Sequence, residues 1–175
     1  IQAPLRPEQP RVKHVRKAQK PAVIKETTKP KGPVFISISI EEQRLKVYDS
    51  NGLYAETPIS TGMRGHSTPM GVFSVIGKEK FHRSNIYSGA PMPYMQRITW
   101  SGIALHAGVL PGYPASHGCI RMPTNFATRM YGWTRMGARV VIARNAKVAM
   151  ANTKAIGAPA STPSATRKTK NTTSL

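Results

Sequence analysis

At 175 residues the chain has the length for one domain and not for two full ones. A hydrophobic fraction of 39%, with 15 Pro and 14 Gly, indicates that part of the length stays outside any core, and no run approaches the roughly 18 consecutive apolar residues of a membrane span. The formal net charge of +19 excludes partners of the same sign and directs the molecule to anionic ones, whether nucleic acid, acidic lipid or an anionic wall polymer.

That charge is unevenly placed. Residues 1–32 hold nine basic and two acidic groups and residues 144–175 hold six and none, which leaves eleven against five between them. Residues 1–32 string Pro4, Pro7, Pro10, Pro21 and Pro30 among Lys and Arg. Such a composition cannot bury enough apolar surface to offset ordering entropy, so the segment reads as a disordered basic tail. The chain opens on Ile1 rather than Met, so a segment has been removed, either a cleaved secretory signal or a trimmed N-terminus, and export is permitted.

A domain over residues 33–143 then opens with β patterning. Residues 34–40 are rich in β-branched side chains with an Ile/Ser alternation, residues 44–48 alternate again, and Glu41-Glu42-Gln43 between them forms the turn of a hairpin. Asp49-Ser50-Asn51-Gly52 predicts a second turn, since Asn-Gly tolerates the positive φ of tight hairpins, and residues 53–60 return as a strand. Residues 71–76, 98–106 and 138–142 read as further strands. One helix is predicted over residues 125–136, introduced by Pro123 and Thr124 and ended near Gly137. The sum is a mostly β fold, a compact sandwich or barrel with one short helix. Residues 144–175, ending in STPSATRKTKNTTSL, read as a second disordered basic tail of low complexity.

The chemistry concentrates in residues 104–108 (ALHAG) and 115–122 (ASHGCIRM), which place His106, His117, Cys119 and Arg121 around glycines beside the end of a strand. A thiol must be partly deprotonated to attack a carbonyl, and an imidazole can take that proton and later return it to a leaving amine. His117, two residues before Cys119, points the same way in an extended segment, whereas His106 must be brought near by the fold; spacing alone leaves the base open. Gly118 lets the backbone approach a substrate closely, where N–H groups can stabilise an oxyanion, and Arg121 can hold a carboxylate by paired hydrogen bonds.

Other readings of these residues are weaker. A lone cysteine is ordinarily a small buried hydrophobe and forms no internal disulfide, but the flanking His117, Gly118 and Arg121 argue against an inert role here. A zinc site from Cys119, His117, His106 and His66 or His82 lacks a second cysteine and finger spacing, so neither a metal nor a cofactor is expected. His66 and His82 lie in polar stretches and read as solvated loop histidines.

The run S-H-G-C-I-R-M preceded by L-H-A-G resembles the active-site signature of the L,D-transpeptidase catalytic domain, often called the YkuD domain. The likeness extends in order through Thr61-Gly62, residues 68–73, residues 92–95 and the closing strand, and so covers about residues 34–143. It implies that Cys119 is the nucleophile, that His106 accepts and donates the proton, that His117 shapes the site, and that Ser116, Gly118 and Arg121 line it. Many members carry Gly directly after the first histidine, whereas here Ala107 precedes Gly108.

The resemblance further implies attack on the carbonyl before the terminal D-alanine of a peptidoglycan tetrapeptide stem, giving a thioester on Cys119. The acceptor is a second stem, an envelope protein, or water, the last making the enzyme an L,D-carboxypeptidase. These substrates place it in the periplasm or cell envelope. The competing class is a non-catalytic module that binds wall or another polyanion through charge, with the tails in electrostatic contact with an anionic envelope. No stacking aromatics interleave the basic residues of either tail, so nucleic acid is not an expected partner.

Overall fold

The structure, a computed structural model, describes residues 21, 23–24, 29–85 and 89–147. The tail readings over 1–20 and 148–175 lie outside the described residues. In chain order the elements are β1 (Val23–Ile24), β2 (Phe35–Ser39), β3 (Arg44–Asp49), β4 (Gly52–Pro58), β5 (Gly71–Ser74), β6 (Gly77–Arg83), β7 (Pro91–Arg97), β8 (Ala104–Ala107), β9 (Ile120–Met122), α1 (Thr124–Trp133) and β10 (Arg139–Ala143). They form a six-stranded sheet in the order β1-β4-β3-β2-β10-β5 and a four-stranded sheet in the order β6-β7-β8-β9.

The predicted meander forms. β2 and β3 pair antiparallel, Ile36 facing Val47 and Ile38 facing Leu45, and β3 meets β4 around Gly52, whose φ of +105° the Asn-Gly turn requires. Alternation on β3 puts Leu45 and Val47 inside and leaves Arg44, Lys46 and Tyr48 partly exposed. On β2 the Ile/Ser alternation does not mark a wet face. Ser37 and Ser39 are buried because Phe35, Val141 and Ala143, with Tyr48 against them, cover that side as a small second cluster.

The main core lies where Ile36, Ile38, Leu45 and Val47 of the first sheet share one cluster with Leu105, Ile120 and Met122 of the second and Phe126, Ala127 and Met130 of α1. Each fully buried aliphatic or aromatic side chain contributes on the order of 1.5–3 kcal/mol. The helix stops at Trp133, three residues before the predicted end, because Thr134 turns extended and donates its hydroxyl back to Met130 O at 2.9 Å. Lys78 closes the same end, its Nζ donating to Tyr131 O at 2.6 Å and Thr134 O at 2.7 Å, a cation on the negative end of the helix.

Five strands differ from expectation. Val23–Ile24, inside the segment read as a tail, adds to the sheet edge opposite Glu56 and Ala55, since a β-branched pair needs only an open edge to dock. β6 is polar and largely exposed, and β7 holds two prolines that argue against a strand. β7 nonetheless pairs with β8 only at Gln96 and Arg97, so Pro91 and Pro93 occupy a stretch with a single neighbour, β6. β9 is too short for periodicity to register. The strand expected over 98–106 begins only at Ala104; residues 99–102 form a turn through Gly102, φ +99°. Among the described residues no helix is long and apolar enough to cross a membrane.

Candidate active site

β8 and β9 run parallel with His106 beside Arg121 and Leu105 beside Ile120. Paired residues of adjacent strands share a face, and residues two apart on one strand do too. His106, Arg121 and Cys119 therefore project from one face, while Leu105 and Ile120 enter the core behind them. That face opens on a cavity of about 550 Å3 whose lining includes Cys119, His106, His117, Ser116, Arg121 and Met92. No acidic residue lines it, and among the described residues no group of three or more His, Cys, Asp or Glu converges on a point.

The loop before β9 is tied down on its other side by residues 60–68. Ser60 and Arg121 exchange backbone hydrogen bonds at 3.0 and 2.9 Å, Met63 N donates to Ser116 O at 2.8 Å, and Thr68 Oγ1 donates to Gly118 O at 2.8 Å. Ser116, buried, works within the loop itself. Its hydroxyl donates to Cys119 O at 2.5 Å and accepts the Gly118 N–H at 3.1 Å. Gly118 adopts φ +122°, and a Cβ there would meet Ile103 Cδ1 at 2.8 Å, so the position admits only glycine without rearrangement. Gly108 has a comparable role, since a Cβ would press on the Arg121 stem at 3.0 Å.

Electrostatics set the resting state. The Cys119 thiol is half-buried and donates to Gly102 O at 3.7 Å. Burial pushes its pKa up, while the Ala104 N–H and the Arg121 charge pull the other way. Burial pushes His106 down, countered by its hydrogen bond to the Ala107 carbonyl and reinforced by the positive charges of Arg121 and His82. A carbonyl only accepts, so His106 Nδ1 carries the proton in its 2.7 Å contact with Ala107 O, and Nε2 is the basic nitrogen. Ala107, the departure noted in the sequence, thus supplies the carbonyl that orients the imidazole. The Arg121 guanidinium has no hydrogen-bonding or ionic partner among the described residues.

All six residues singled out from the sequence line or frame this site. The histidines divide. His106 is 8% exposed and sits on β8, beside the strand that follows the nucleophile, whereas His117 is exposed at the rim with its ring 4.8 Å from that of His66 in an edge-to-face contact. The sequence reading missed that His66 contact, because the two histidines are 51 positions apart and only the fold brings them together. Met92 and Met95 pack beside Cys119. Tyr94, on β7, packs partly buried against the main core and edge-on to Tyr131 at 5.7 Å.

Residues 33–142 match the family model described as L,D-transpeptidase catalytic domain. No curated protein matches the chain significantly in sequence. Solved structures do. An L,D-transpeptidase from Stackebrandtia nassauensis is 24% identical, over 69% of this chain and 60% of that one, with a TM-score of 0.60. L,D-transpeptidase 3 from Mycobacterium tuberculosis, in complex with a faropenem-derived adduct, is 22% identical over 63% and 60%, with a TM-score of 0.58. A mutant of the Enterococcus faecium L,D-transpeptidase is 26% identical over 63% and 50%, with a TM-score of 0.57. The chain thus spans between half and three-fifths of these structures.

Proposed function

The chain belongs to the L,D-transpeptidase catalytic-domain family, and from that premise we propose that it is a cysteine acyltransferase acting on peptidoglycan stem peptides in the periplasm or cell envelope. The observation that carries the reading is the single face on which Cys119, His106 and Arg121 meet an acid-free cavity.

His106 Nε2 takes the Cys119 proton as Sγ attacks the carbonyl between the L-centre of a diamino acid and the terminal D-alanine of a tetrapeptide. Because both partners start neutral, proton transfer accompanies attack instead of preceding it. The Gly118 N–H is held by Ser116, which leaves the Cys119 backbone N–H as the oxyanion donor nearest the nucleophile. Arg121 holds a stem carboxylate. The imidazolium then protonates the departing amine of D-alanine, the C–N bond breaks, and the thioester remains. An acceptor amine attacks it, loses its proton to His106, and Sγ departs to be reprotonated. With a stem as acceptor the product is a 3–3 cross-link; with an envelope protein it is an anchored protein; with water it is a trimmed tripeptide.

Intact mass after incubation with a carbapenem tests the nucleophile. The wild type is expected to gain one acyl adduct and the Cys119→Ala protein none, with D-alanine release from tetrapeptide abolished in the variant. A folded wild type that gains no adduct would favour the wall-binding module.

A further inference from the structure

Trp100 is 86% exposed, an unusual place for the largest apolar side chain, and it contributes nothing to the core. It is not on a slack loop. Thr99 Oγ1 accepts the Ile103 N–H at 2.9 Å, Thr99 O accepts the Gly102 N–H at 3.2 Å, and Ile98 N donates to Ile103 O at 2.9 Å, so the backbone that carries the indole is tied into a closed turn. The same turn ends at Gly102, whose carbonyl accepts the Cys119 thiol.

Beside Trp100 lies a second cavity of about 210 Å3, with Arg97, Asn85, Ser101 and His82 in its wall. It shares Ser84, Met92 and Gly102 with the catalytic cavity, so the two adjoin. Arg97 has no side-chain partner among the described residues, and no acidic side chain lines this cavity. An aromatic face next to amide, hydroxyl and guanidinium donors matches a pyranose ring: the C–H face stacks on indole while hydroxyl and acetamide groups take the hydrogen bonds.

We propose that Trp100 and the cavity beside it form a sugar subsite, which holds the glycan strand from which the stem peptide hangs. The inference rests on the acyl-transfer reading for the identity of the polymer. Reach agrees with it. Three residues separate the attacked carbonyl from the sugar, about 10 Å of extended peptide, and Trp100 stands two residues, at most about 7 Å of chain, from the carbonyl that touches Sγ.

The test uses the full chain with Trp133→Phe, which leaves Trp100 as the sole tryptophan of the two. Titration with peptide-free N-acetylglucosamine oligomers is expected to give a saturable shift of Trp100 emission. In turnover, disaccharide-linked tetrapeptide is expected to show a KM about tenfold below that of free tetrapeptide, a ratio that collapses toward one in Trp100→Ala and returns in Trp100→Tyr. The exposure of Trp100 makes misfolding of these variants a minor concern, and a far-UV spectrum checks it. An emission shift without acylation would support the subsite and sink the acyl-transfer reading. Acylation without any sugar response, or a response to phosphatidylglycerol vesicles only, would overturn the subsite and leave the acyl-transfer reading standing.

Discussion

Because burial strips hydration from a charged group, His106 is held toward its neutral form and Cys119 toward the thiol, and both effects can be read out in solution. Unfolded, His106 takes a proton below about pH 6.5; folded, it does so only at lower pH. Its contribution to stability is therefore intact above that pH and lost as pH falls below it. The urea midpoint is expected to drop between pH 7 and pH 5.5 by more in the wild type than in His106→Gln. The acid limb of the kcat/KM profile should likewise lie below the ordinary histidine range, and a limb at or above it would argue against His106 as the base. For Cys119 the raised pKa predicts slow alkylation by iodoacetamide at neutral pH, accelerating only above the range of free cysteine. Ser116→Ala removes a donor and an acceptor buried under the nucleophile and is expected to cost about 1–3 kcal/mol in denaturant titration, with acylation slowed as the loop loosens. Spacing within the motif identified the residue types at the site and left the base open between His106 and His117, while the family resemblance pointed to His106. The parallel register of β8 against β9 sets His106 beside Arg121, and pairing between residues fifteen apart leaves no mark on either segment.

The elements that carry the site are short, and their stability is borrowed from neighbours. β9 has three residues, flanked by β8 and by the Ser60 segment, so both of its edges are occupied near the nucleophile. α1 lacks a side-chain cap at Pro123 and relies at its other end on Lys78, reaching in from the edge strand β6. Lys78→Met keeps an apolar stem of similar length but removes the ammonium over the Tyr131 ring and both hydrogen bonds. It should lower stability by about 1 kcal/mol, measured by thermal unfolding, with little effect on acylation by a carbapenem. Strands with strong β-branched alternation, β2, β3 and β10, were legible from sequence. β6 and β7 were not, because exposure lets polar residues and proline occupy a strand whose only requirement is one hydrogen-bonded edge.

At the scale of the whole molecule, the mostly β architecture followed from many short alternating segments and one helix, and the division into two sheets did not, since no local pattern says which strands are neighbours. The acids are segregated. The four described acids of residues 41–56 all belong to the first sheet or its turns, while the strands of the second carry Lys78, Lys80, Arg83, Arg97 and Arg121 against Glu79 and so have a net positive charge. Closure depends on one long-range pairing: β10 lies parallel to β2, Arg139 beside Phe35, and antiparallel to β5. A chain ended at residue 138 would leave β2 and β5 each without a partner on a buried flank, and is expected to show neither a cooperative melt nor any carbapenem adduct. The timing of synthesis is bound up in the same pairing. The cysteine and both histidines of the site come before β10 in the chain, so the strand that completes the sheet is made after them. Its partner β2 lies about a hundred residues back, which gives this pairing the longest loop to close among the described strand pairs.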